Sequence, residues 1–438
     1  MVGIRELRGF NTRDYAMVCD IFSIVRLMTT VVKVSCTIIL ALSFGVRIQV
    51  GWTKEIGPAS DYCQEINDPS SGTEVVLQSG DYRGACKVHR GGKYGSPLVI
   101  RAQDLTNRPR IVYEEKNGNV LEIYADNVVV RGLEFGPSRN EVDGIRIFSG
   151  NYITIEDCVF DEMDGIAVVA NHASVKGLIV RKNRITNSTS TGMYFGCHDG
   201  AACTVSQLLI ENNFVGGVTA RESQIGYGIQ VKLNSVATLR DNVIVNTKGP
   251  GIMVYGAEDP SRINIIERNF VAGSRESSGI VVGGGPVMVR NNVVVGNSEA
   301  GVGLEDYGRR GLLRRIVVTH NTVYDNQRGG ILIPSEARVE AEISRNAVAA
   351  REGTTAFPVA RDGIKLVSNQ DCSHKVCFVN PENKDFTPVE GSPLRGVRES
   401  DDKRPIPVDD YFGRTRGIVP AVGAIEPPGG PIRLGIKP

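Results

Sequence analysis

Two side chains that can transfer protons occupy the same place in two copies of a short sequence pattern. Lys232 is the fourth residue after Gly228 in YGIQVK, and Tyr255 is the fourth residue after Gly251 in PGIMVY. A lysine amine can remove a proton when burial and neighbouring charges lower its pKa, and a tyrosine hydroxyl can donate or accept one. Lys232 and Tyr255 are therefore a candidate base and a candidate proton donor, provided that the fold places the two copies side by side.

Groups that can hold a ligand lie in the same copies of the pattern or in the segments that follow them. Such segments are expected to be loops, which often carry function. The candidate substrate-binding residues are Tyr194, His198, Gln230, Glu305, Tyr307, Arg309 and Arg310.

Four carboxylates follow the same strands and are hard oxygen donors of the kind that calcium prefers. They are Glu258, Asp259, Glu305 and Asp306. These donors leave calcium open as a cofactor. No contiguous loop motif joins them, so no metal site is assigned.

The pattern around Lys232 and Tyr255 recurs along the chain and predicts the fold. Its glycine is followed by alternating apolar residues, and its eight copies begin at Gly144, Gly165, Gly192, Gly228, Gly251, Gly279, Gly301 and Gly330. A second pattern alternates with the first and closes a strand on a polar residue, at Asp157, Asn183, Asn213, Asn242, Asn269, Asn292, Asn321 and Asn346. Two alternating strand patterns of this kind predict stacked coils that share one core. The predicted fold is an all-β, single-stranded right-handed parallel β-helix of about ten coils with N- and C-terminal caps.

The polar residue of the second pattern has a structural interpretation. Asn and Asp tolerate left-handed backbone and bond their own main chain, so we expect them to turn the corner of each coil. Stacked asparagines should also form a side-chain ladder along the axis.

Strand alternation gives the register of the outward faces. The second and fourth residues after each glycine should point outward, and Lys232 and Tyr255 should be neighbours about 4.8 Å apart along a shallow trough. The same count places Ala167 and Val169 outward in the coil of Gly165.

A further row, two residues before the polar residue of the second pattern, alternates in charge between coils. It predicts a structural ion-pair ladder, formed by Arg181, Glu211, Arg240, Glu267 and Arg290.

The remaining composition bounds the partners and the compartment. A net charge of +1 over 438 residues gives no basic field, which argues against nucleic acid as a partner. Residues 1–50 predict a leader, with Met28 as an alternative start, because the apolar run 34–46 is too short to span a bilayer. We expect a secreted or periplasmic monomer that meets a membrane only through this leader.

The domain plan and the cysteines follow from the same considerations. Residues 51–125 should form the N-terminal cap and first coils, 126–350 the β-helix core, and 351–438 the C-terminal cap and tail. Exported chains use close cysteine pairs as disulfides. The candidate disulfide cysteines are Cys63 with Cys86, Cys197 with Cys203, and Cys372 with Cys377. Of the other three, Cys19 and Cys36 lie in the predicted leader and Cys158 is expected to be a buried thiol.

Both ends of the repeat resemble a known superfamily. The opening segment TEVVLQSGDYRGACKVHRGGKYGSPLVIRAQ resembles the first coils of pectate-lyase-like β-helix proteins, especially the branch of chondroitinase-B-like and alginate lyases. The closing segments NKDFTPVEGSPLRG and VGAIE look like the end of secreted members. This resemblance implies the same fold and a polysaccharide partner.

One internal segment resembles the same branch of lyases. YGIQVKLNSVATLRDN is similar to their Lys-then-Arg-then-Asn stretch, although its spacing is one residue longer, and the resemblance implies that Lys232 is the base. Where those relatives carry an arginine one coil later, this chain has Tyr255.

These observations favour a lyase that cleaves a uronate-containing polysaccharide by β-elimination. The chemistry needs a base for the proton on carbon 5, a positive or hydrogen-bonding group for the carboxylate, and an acid for the leaving oxygen. Whether the chain is an enzyme stays open from its sequence. It could instead be a non-catalytic glycan-binding surface β-helix, a polysaccharide hydrolase or an epimerase on the same fold.

Overall fold

The coils are built from strands of two to five residues whose alternate side chains point into a shared interior. The structure, a computed structural model, describes residues 52–333, 336, 338–395 and 406–436. The predicted leader, residues 1–50 with Met28, lies outside the described residues. In the part of the chain that is described, no helix has the length and apolar character needed to cross a membrane.

The strands stack into three parallel sheets, and within each complete coil the chain passes from sheet 1 to sheet 2 to sheet 3. Sheet 1 contains Thr53–Ile56, Glu74–Leu77, Leu98–Ala102, Val128–Arg131, Thr154–Glu156, Ile179–Arg181, Leu208–Glu211, Ala237–Arg240, Asn264–Glu267, Val287–Arg290, Ile316–Thr319, Ala341–Ser344 and Ile364–Val367. Sheet 2 contains Gly80–Arg83, Pro109–Tyr113, Glu134–Ser138, Val159–Asp161, Arg184–Thr186, Phe214–Val218, Val243–Thr247, Phe270–Ala272, Val293–Val295, Thr322–Tyr324, Ala347–Ala349 and Gln370–Asp371. Sheet 3 contains Cys86–Val88, Leu121–Ile123, Ile145–Ile147, Val168–Ala170, Met193–Phe195, Ile229–Val231, Ile252–Val254, Ile280–Val282, Ala300–Leu304 and Gly329–Leu332.

Short elements decorate this stack. An α-helix spans Tyr62–Asn67, and three 3-10 turns span Pro69–Ser71, Tyr307–Arg309 and Pro381–Asn383. Val175–Lys176 pairs in parallel with Val205–Ser206, and Phe378–Asn380 pairs antiparallel with Asp385–Pro388. Asp61 caps the start of the helix, because its carboxylate accepts the N–H groups of two residues in the first turn, and the helix buries Ile66 in the core.

The predicted all-β parallel β-helix is confirmed, and its coil count is corrected. Sheet 1 has 13 strands, so the expectation of about ten coils is too low. Glu74–Leu77 and Leu98–Ala102 stack in the same sheet without the glycine and asparagine patterns. Ile364–Val367 is followed by Asn369 but lies beyond the last glycine strand, so the repeat did not reveal these coils.

The predicted asparagine ladder runs along the corner between sheets 1 and 2. Asn213 Nδ2 donates to Asn242 Oδ1 at 2.9 Å, and Asn242 Nδ2 donates to Asn269 Oδ1 at 2.9 Å. Each Oδ1 also accepts the backbone N–H of the preceding ladder residue, as Asn242 Oδ1 does from Asn213 at 3.0 Å. The ladder comprises Asn183, Asn213, Asn242, Asn269, Asn292, Asn321, Asn346 and Asn369.

Two details of the corner prediction are wrong. The left-handed backbone belongs to the residue before each ladder position, as at Asp241 with φ 58°, because the ladder side chain itself must point inward. In the coil of Asp157 the ladder place is taken by Cys158, whose N–H donates to Asn183 Oδ1 at 3.0 Å. Asp157 is the left-handed residue there, with φ 53°.

The outer faces of sheets 1 and 2 are used by contacts within the protein. On sheet 1 the predicted charge ladder is confirmed, with Arg240 Nη2 2.7 Å from Glu211 Oε2 and a further pair between Arg290 and Glu267. On sheet 2, outward residues such as Phe270 pack against the C-terminal segment, including Phe386. Sheet 3 is the face on which the candidate site residues lie.

The three predicted disulfides are confirmed, as is the remaining buried thiol within the described ranges. Their Cα atoms are 5.1 Å apart for Cys63–Cys86, 5.0 Å for Cys197–Cys203 and 6.0 Å for Cys372–Cys377. Cys158 is buried, and burial raises the pKa of its thiol to about 12.

Candidate functional site

The outward row of sheet 3 brings the predicted residues onto adjacent coils. Tyr194 pairs in register with Gln230, which pairs with Met253, so Lys232 and Tyr255 follow on neighbouring strands. The register expected around Gly165 is wrong by two residues. Val169 rather than Ala167 pairs with Tyr194 and Arg146, because Ala167 takes the place that glycine holds in the other coils.

Lys232 lies at the centre of a cage of rings, as the register predicted for its contact with Tyr255. Its Nζ lies 3.9 Å from the ring centroid of Tyr255, 5.6 Å from that of Tyr194 and 5.9 Å from that of Tyr307. Nδ1 of His198 is 3.3 Å from the same Nζ. We call Lys232 with these four neighbours the lysine cage.

The expectation of a shallow open trough is wrong at the lysine cage. Lys232 is only 1% exposed, although its backbone position faces away from the core. Two loops account for this burial. One carries His198 and is closed by the Cys197–Cys203 disulfide. The other carries Tyr307, whose ring packs edge-on against Tyr255 with centroids 4.5 Å apart.

The Tyr255 hydroxyl is held in a buried hydrogen-bond network. Gln230 Nε2 donates to it at 2.8 Å, and the hydroxyl of Tyr227 is 3.2 Å away. Tyr255 is 1% exposed and Tyr227 is 8% exposed. Tyr227 was not among the predicted site residues. The signal that could have revealed it is its position immediately before Gly228 in the strand that carries Lys232.

Burial and charge change the proton affinities in the lysine cage. Burial, with a smaller contribution from the Arg310 guanidinium, lowers the pKa of Lys232 to about 8. Burial also raises the pKa of Tyr255, Tyr227 and Tyr194 above that of an exposed tyrosine. The lysine can therefore be neutral in mildly basic solution while the tyrosines stay protonated.

A glycine makes close packing over the lysine feasible. Gly196 follows the strand of Tyr194 and has φ +93°, in the left-handed region that other residues rarely adopt. A Cβ atom there would lie 3.1 Å from the Cβ of Lys232. The glycine therefore lets the His198 loop turn directly over the lysine.

A cleft of about 880 Å³ continues the same face toward the C-terminal coils. Glu305 and Arg309 line it, and Arg310 lies beside it, with its guanidinium carbon 5.5 Å from the ring centroid of Tyr307. The predicted residues thus fall into two adjoining groups, the lysine cage and this cleft. Tyr307, a member of the lysine cage, and Arg310 lie in the loop that connects it to the cleft.

The structure does not assemble the carboxylates that left calcium open. Among the described residues, no group of three or more His, Cys, Asp or Glu side chains could hold a metal ion. Glu258 instead interacts with Asn234, and Asp259 accepts hydrogen bonds from Ser261 in its own turn.

Comparison with known proteins agrees with this architecture. Residues 195–372 match the family model for the right-handed beta helix region, and residues 98–263 match that of the periplasmic copper-binding protein NosD. The chain is a right-handed parallel β-helix protein. A search among curated proteins finds no match.

The chain is similar to several solved structures, two of them with a TM-score above 0.5. The A-module of the mannuronan C-5 epimerase AlgE4 from Azotobacter vinelandii is 15% identical, with 71% of this chain and 89% of that chain covered and a TM-score of 0.53. The complex of XylC with xylose is 10% identical, with coverages of 83% and 95% and a TM-score of 0.54. An alginate lyase from Paenibacillus sp. str. FPU-7 is 16% identical, with coverages of 72% and 98% and a TM-score of 0.48. At these identities the similarity concerns the fold.

Proposed function

We propose that the protein cleaves a uronate-containing polysaccharide by β-elimination, with Lys232 as the base that removes the proton on carbon 5. The observation that carries this proposal is the lysine cage, which holds an amine of lowered pKa on the outer side of sheet 3. A general base works best when its pKa lies near the working pH. The fold shared with a mannuronan epimerase supports a polysaccharide as the substrate.

The leaving oxygen needs a proton, and the tyrosine network can supply it. Gln230 donates to the Tyr255 oxygen, so the Tyr255 hydroxyl is free to donate to Tyr227. The more exposed Tyr227 then gives its own proton to the leaving oxygen and takes one from Tyr255. The resulting phenolate is balanced by the Lys232 ammonium, which carries the proton removed from carbon 5.

Positive groups are present to hold the uronate carboxylate. Arg310 lies close enough to Lys232 to lower its pKa, and Arg309 lines the adjoining cleft. His198 and Tyr194 form the other side of the lysine cage. We propose that these four residues bind the sugar carboxylate and hydroxyls around the reacting carbon.

To reach the Lys232 amine, the substrate must displace side chains of the two loops that bury it. Lys232 is 1% exposed, whereas His198 is exposed in its own loop. We propose that polymer binding moves His198 and Tyr307 outward, so that the sugar takes the place of their contacts. Closure around the bound sugar then excludes water from the base.

The proposed setting is outside the cytoplasm. Disulfides persist in oxidising compartments such as the bacterial periplasm and the extracellular space, and this chain forms three of them. The NosD family model that matches part of the chain describes a periplasmic protein. We propose a secreted or periplasmic monomer whose partner is the polysaccharide.

The experiment is a product assay on a panel of uronate polymers. β-Elimination creates an unsaturated sugar that absorbs ultraviolet light, and this absorbance should rise with wild-type protein. Lys232→Ala should abolish the rise, whereas Lys116→Ala, which alters an exposed lysine on another loop, should not. Absence of the signal on every polymer in the panel would refute the lyase.

The burial of Lys232 favours a second candidate, a glycan-binding β-helix without catalysis. In that case the ammonium would be a structural cation beneath a binding surface, and the protein would retain polymers without changing them. Two further readouts on the same polymers, chain length and deuterium uptake, distinguish a hydrolase from an epimerase. Shorter chains without absorbance indicate hydrolysis, and deuterium uptake from heavy water at carbon 5 without absorbance indicates epimerisation.

A further inference from the structure

The cleft beyond the lysine cage contains a notch at Gly303. This glycine stands in the outward row of sheet 3 between the apolar side chains of Val281 and Leu332 and brings no side chain of its own. A Cβ atom at Gly303 would lie 2.9 Å from Oε1 of Glu305 and 3.0 Å from Oγ of Ser278. The notch is therefore lined by a carboxylate and a hydroxyl.

Ser278 has an unused hydrogen-bonding group directed into this notch. It is 3% exposed and lines the cleft, and its hydroxyl has no hydrogen-bond partner within the described ranges. Its oxygen is not among the fully buried unpaired side-chain atoms of the described residues, so the hydroxyl is open to the cleft. A ligand hydroxyl placed in the notch would supply the missing partner.

The charges of the cleft are partly committed to the protein itself. Glu299 forms an ion pair with Arg328 at 3.1 Å, and the carboxylate of Asp306 accepts the N–H of Gly311 at 3.0 Å. Glu305 has no ion-pair partner among the described residues. Its pKa is raised because the cleft partly desolvates the carboxylate and because Glu299 is close. The notch is thus a poor place for a second negative charge.

We propose that the Gly303 notch is a subsite for an uncharged sugar unit, and that the substrate is a heteropolymer in which uncharged sugars separate the uronates. This inference rests on the proposed function, since it describes the same polymer. The notch lies three coils from Lys232, on the order of 14 Å along the axis. A short oligosaccharide can therefore occupy both places at once.

The recognition chemistry follows from the lining. One sugar hydroxyl donates to Glu305, another bonds to Ser278, and the apolar face of the sugar packs on Leu332. A uronate in the notch would bring its carboxylate against Glu305. The two arginines that line the cleft, Arg309 and Arg338, are exposed and lie at its rim.

The test is calorimetric binding of two polymers to the full chain. Unsulfated chondroitin alternates a uronate with an uncharged N-acetylhexosamine, whereas polygalacturonate has a carboxylate on every sugar. Chondroitin should bind about tenfold more tightly, which corresponds to about 1.4 kcal/mol. Gly303→Val should fill the notch and remove that preference. Ser278→Ala, a milder change, should weaken chondroitin binding alone.

A charge variant probes the same subsite from the other side. Glu305→Gln should raise the affinity for polygalacturonate several-fold, because the repelling carboxylate is gone. Glu352→Gln alters an exposed carboxylate that does not line the cleft and should leave both affinities unchanged. Equal binding of the two polymers by wild type, unchanged by Gly303→Val and Ser278→Ala, would overturn the subsite. The binding readout is independent of cleavage, so loss of the lyase activity alone would leave this inference standing.

Discussion

Nζ of Lys232 lies 3.3 Å from Nδ1 of His198 on the neighbouring coil, and the same Nζ contacts the face of the Tyr255 ring. His198 can accept this hydrogen bond only when Nδ1 carries no proton. The pair couples the proposed base to a loop that a disulfide holds in place. Loop position and proton affinity should therefore change together.

The first prediction concerns the pH dependence of cleavage. Burial and Arg310 lower the pKa of Lys232 to about 8, and the base must be neutral to act. Activity should therefore rise with pH and level off above a midpoint near 8. Arg310→Gln removes a positive neighbour that disfavours the ammonium, so this midpoint should move upward. Arg314→Gln, an exposed arginine nearby in sequence, should leave the midpoint unchanged.

The second prediction concerns the disulfide below His198. Replacing Cys197 and Cys203 by serine should lower stability by about 2 kcal/mol, as expected for a short closed loop. It should also reduce cleavage strongly, because His198 loses its anchor. The matched control replaces Cys372 and Cys377, which close a loop of similar length at the C-terminal segment. That control should show a similar stability loss with unchanged turnover, and equal turnover losses in both variants would count against the role of His198.

The third prediction separates two roles of Tyr255. Tyr255→Phe keeps the ring beneath the Lys232 ammonium but removes the hydroxyl bonded to Gln230 and Tyr227. Cleavage should fall about 100-fold, because the proton route to the leaving oxygen is cut. Tyr227→Phe should give a comparable loss. If both variants keep wild-type turnover, the leaving oxygen receives its proton from elsewhere.

The fourth prediction concerns the asparagine ladder. Asn269→Ala leaves the N–H and the Nδ2 of Asn242 without their acceptor inside the core, which should cost about 3 kcal/mol or more. Asn369→Ala makes the same change at the half-buried end of the ladder, where water can replace the lost bonds. Urea unfolding should therefore show a much larger loss for the interior variant, and equal losses would contradict the ladder as a buried network.

The sequence predicts the repeating part of the molecule well because every coil obeys the same steric rules. The glycine strands, the asparagine ladder and the adjacency of Lys232 to Tyr255 all follow from strand alternation. The register fails around Ala167, where a small non-glycine residue meets the same packing requirement. A pattern based on residue identity therefore finds that coil but places its register two residues out.

The burial of the site could not be predicted in the same way. Lys232 faces outward by register, yet it is covered by loops that carry His198 and Tyr307. The paths of these loops depend on contacts between coils, which strand alternation does not determine. Tyr227 was missed for a related reason, since its hydroxyl reaches the site through the side chain of Tyr255.

The most direct test of the account is amine rescue of the Lys232→Ala variant on a uronate polymer that the wild-type protein cleaves. Ultraviolet absorbance should report a loss of 100-fold or more, within the usual range of about 100- to 10,000-fold for a general base. Added ethylamine should restore part of the rate, because it can enter the space left by the side chain and act as the base. A Lys232→Ala variant that cleaves at the wild-type rate without added amine would contradict the assignment of Lys232 as the base.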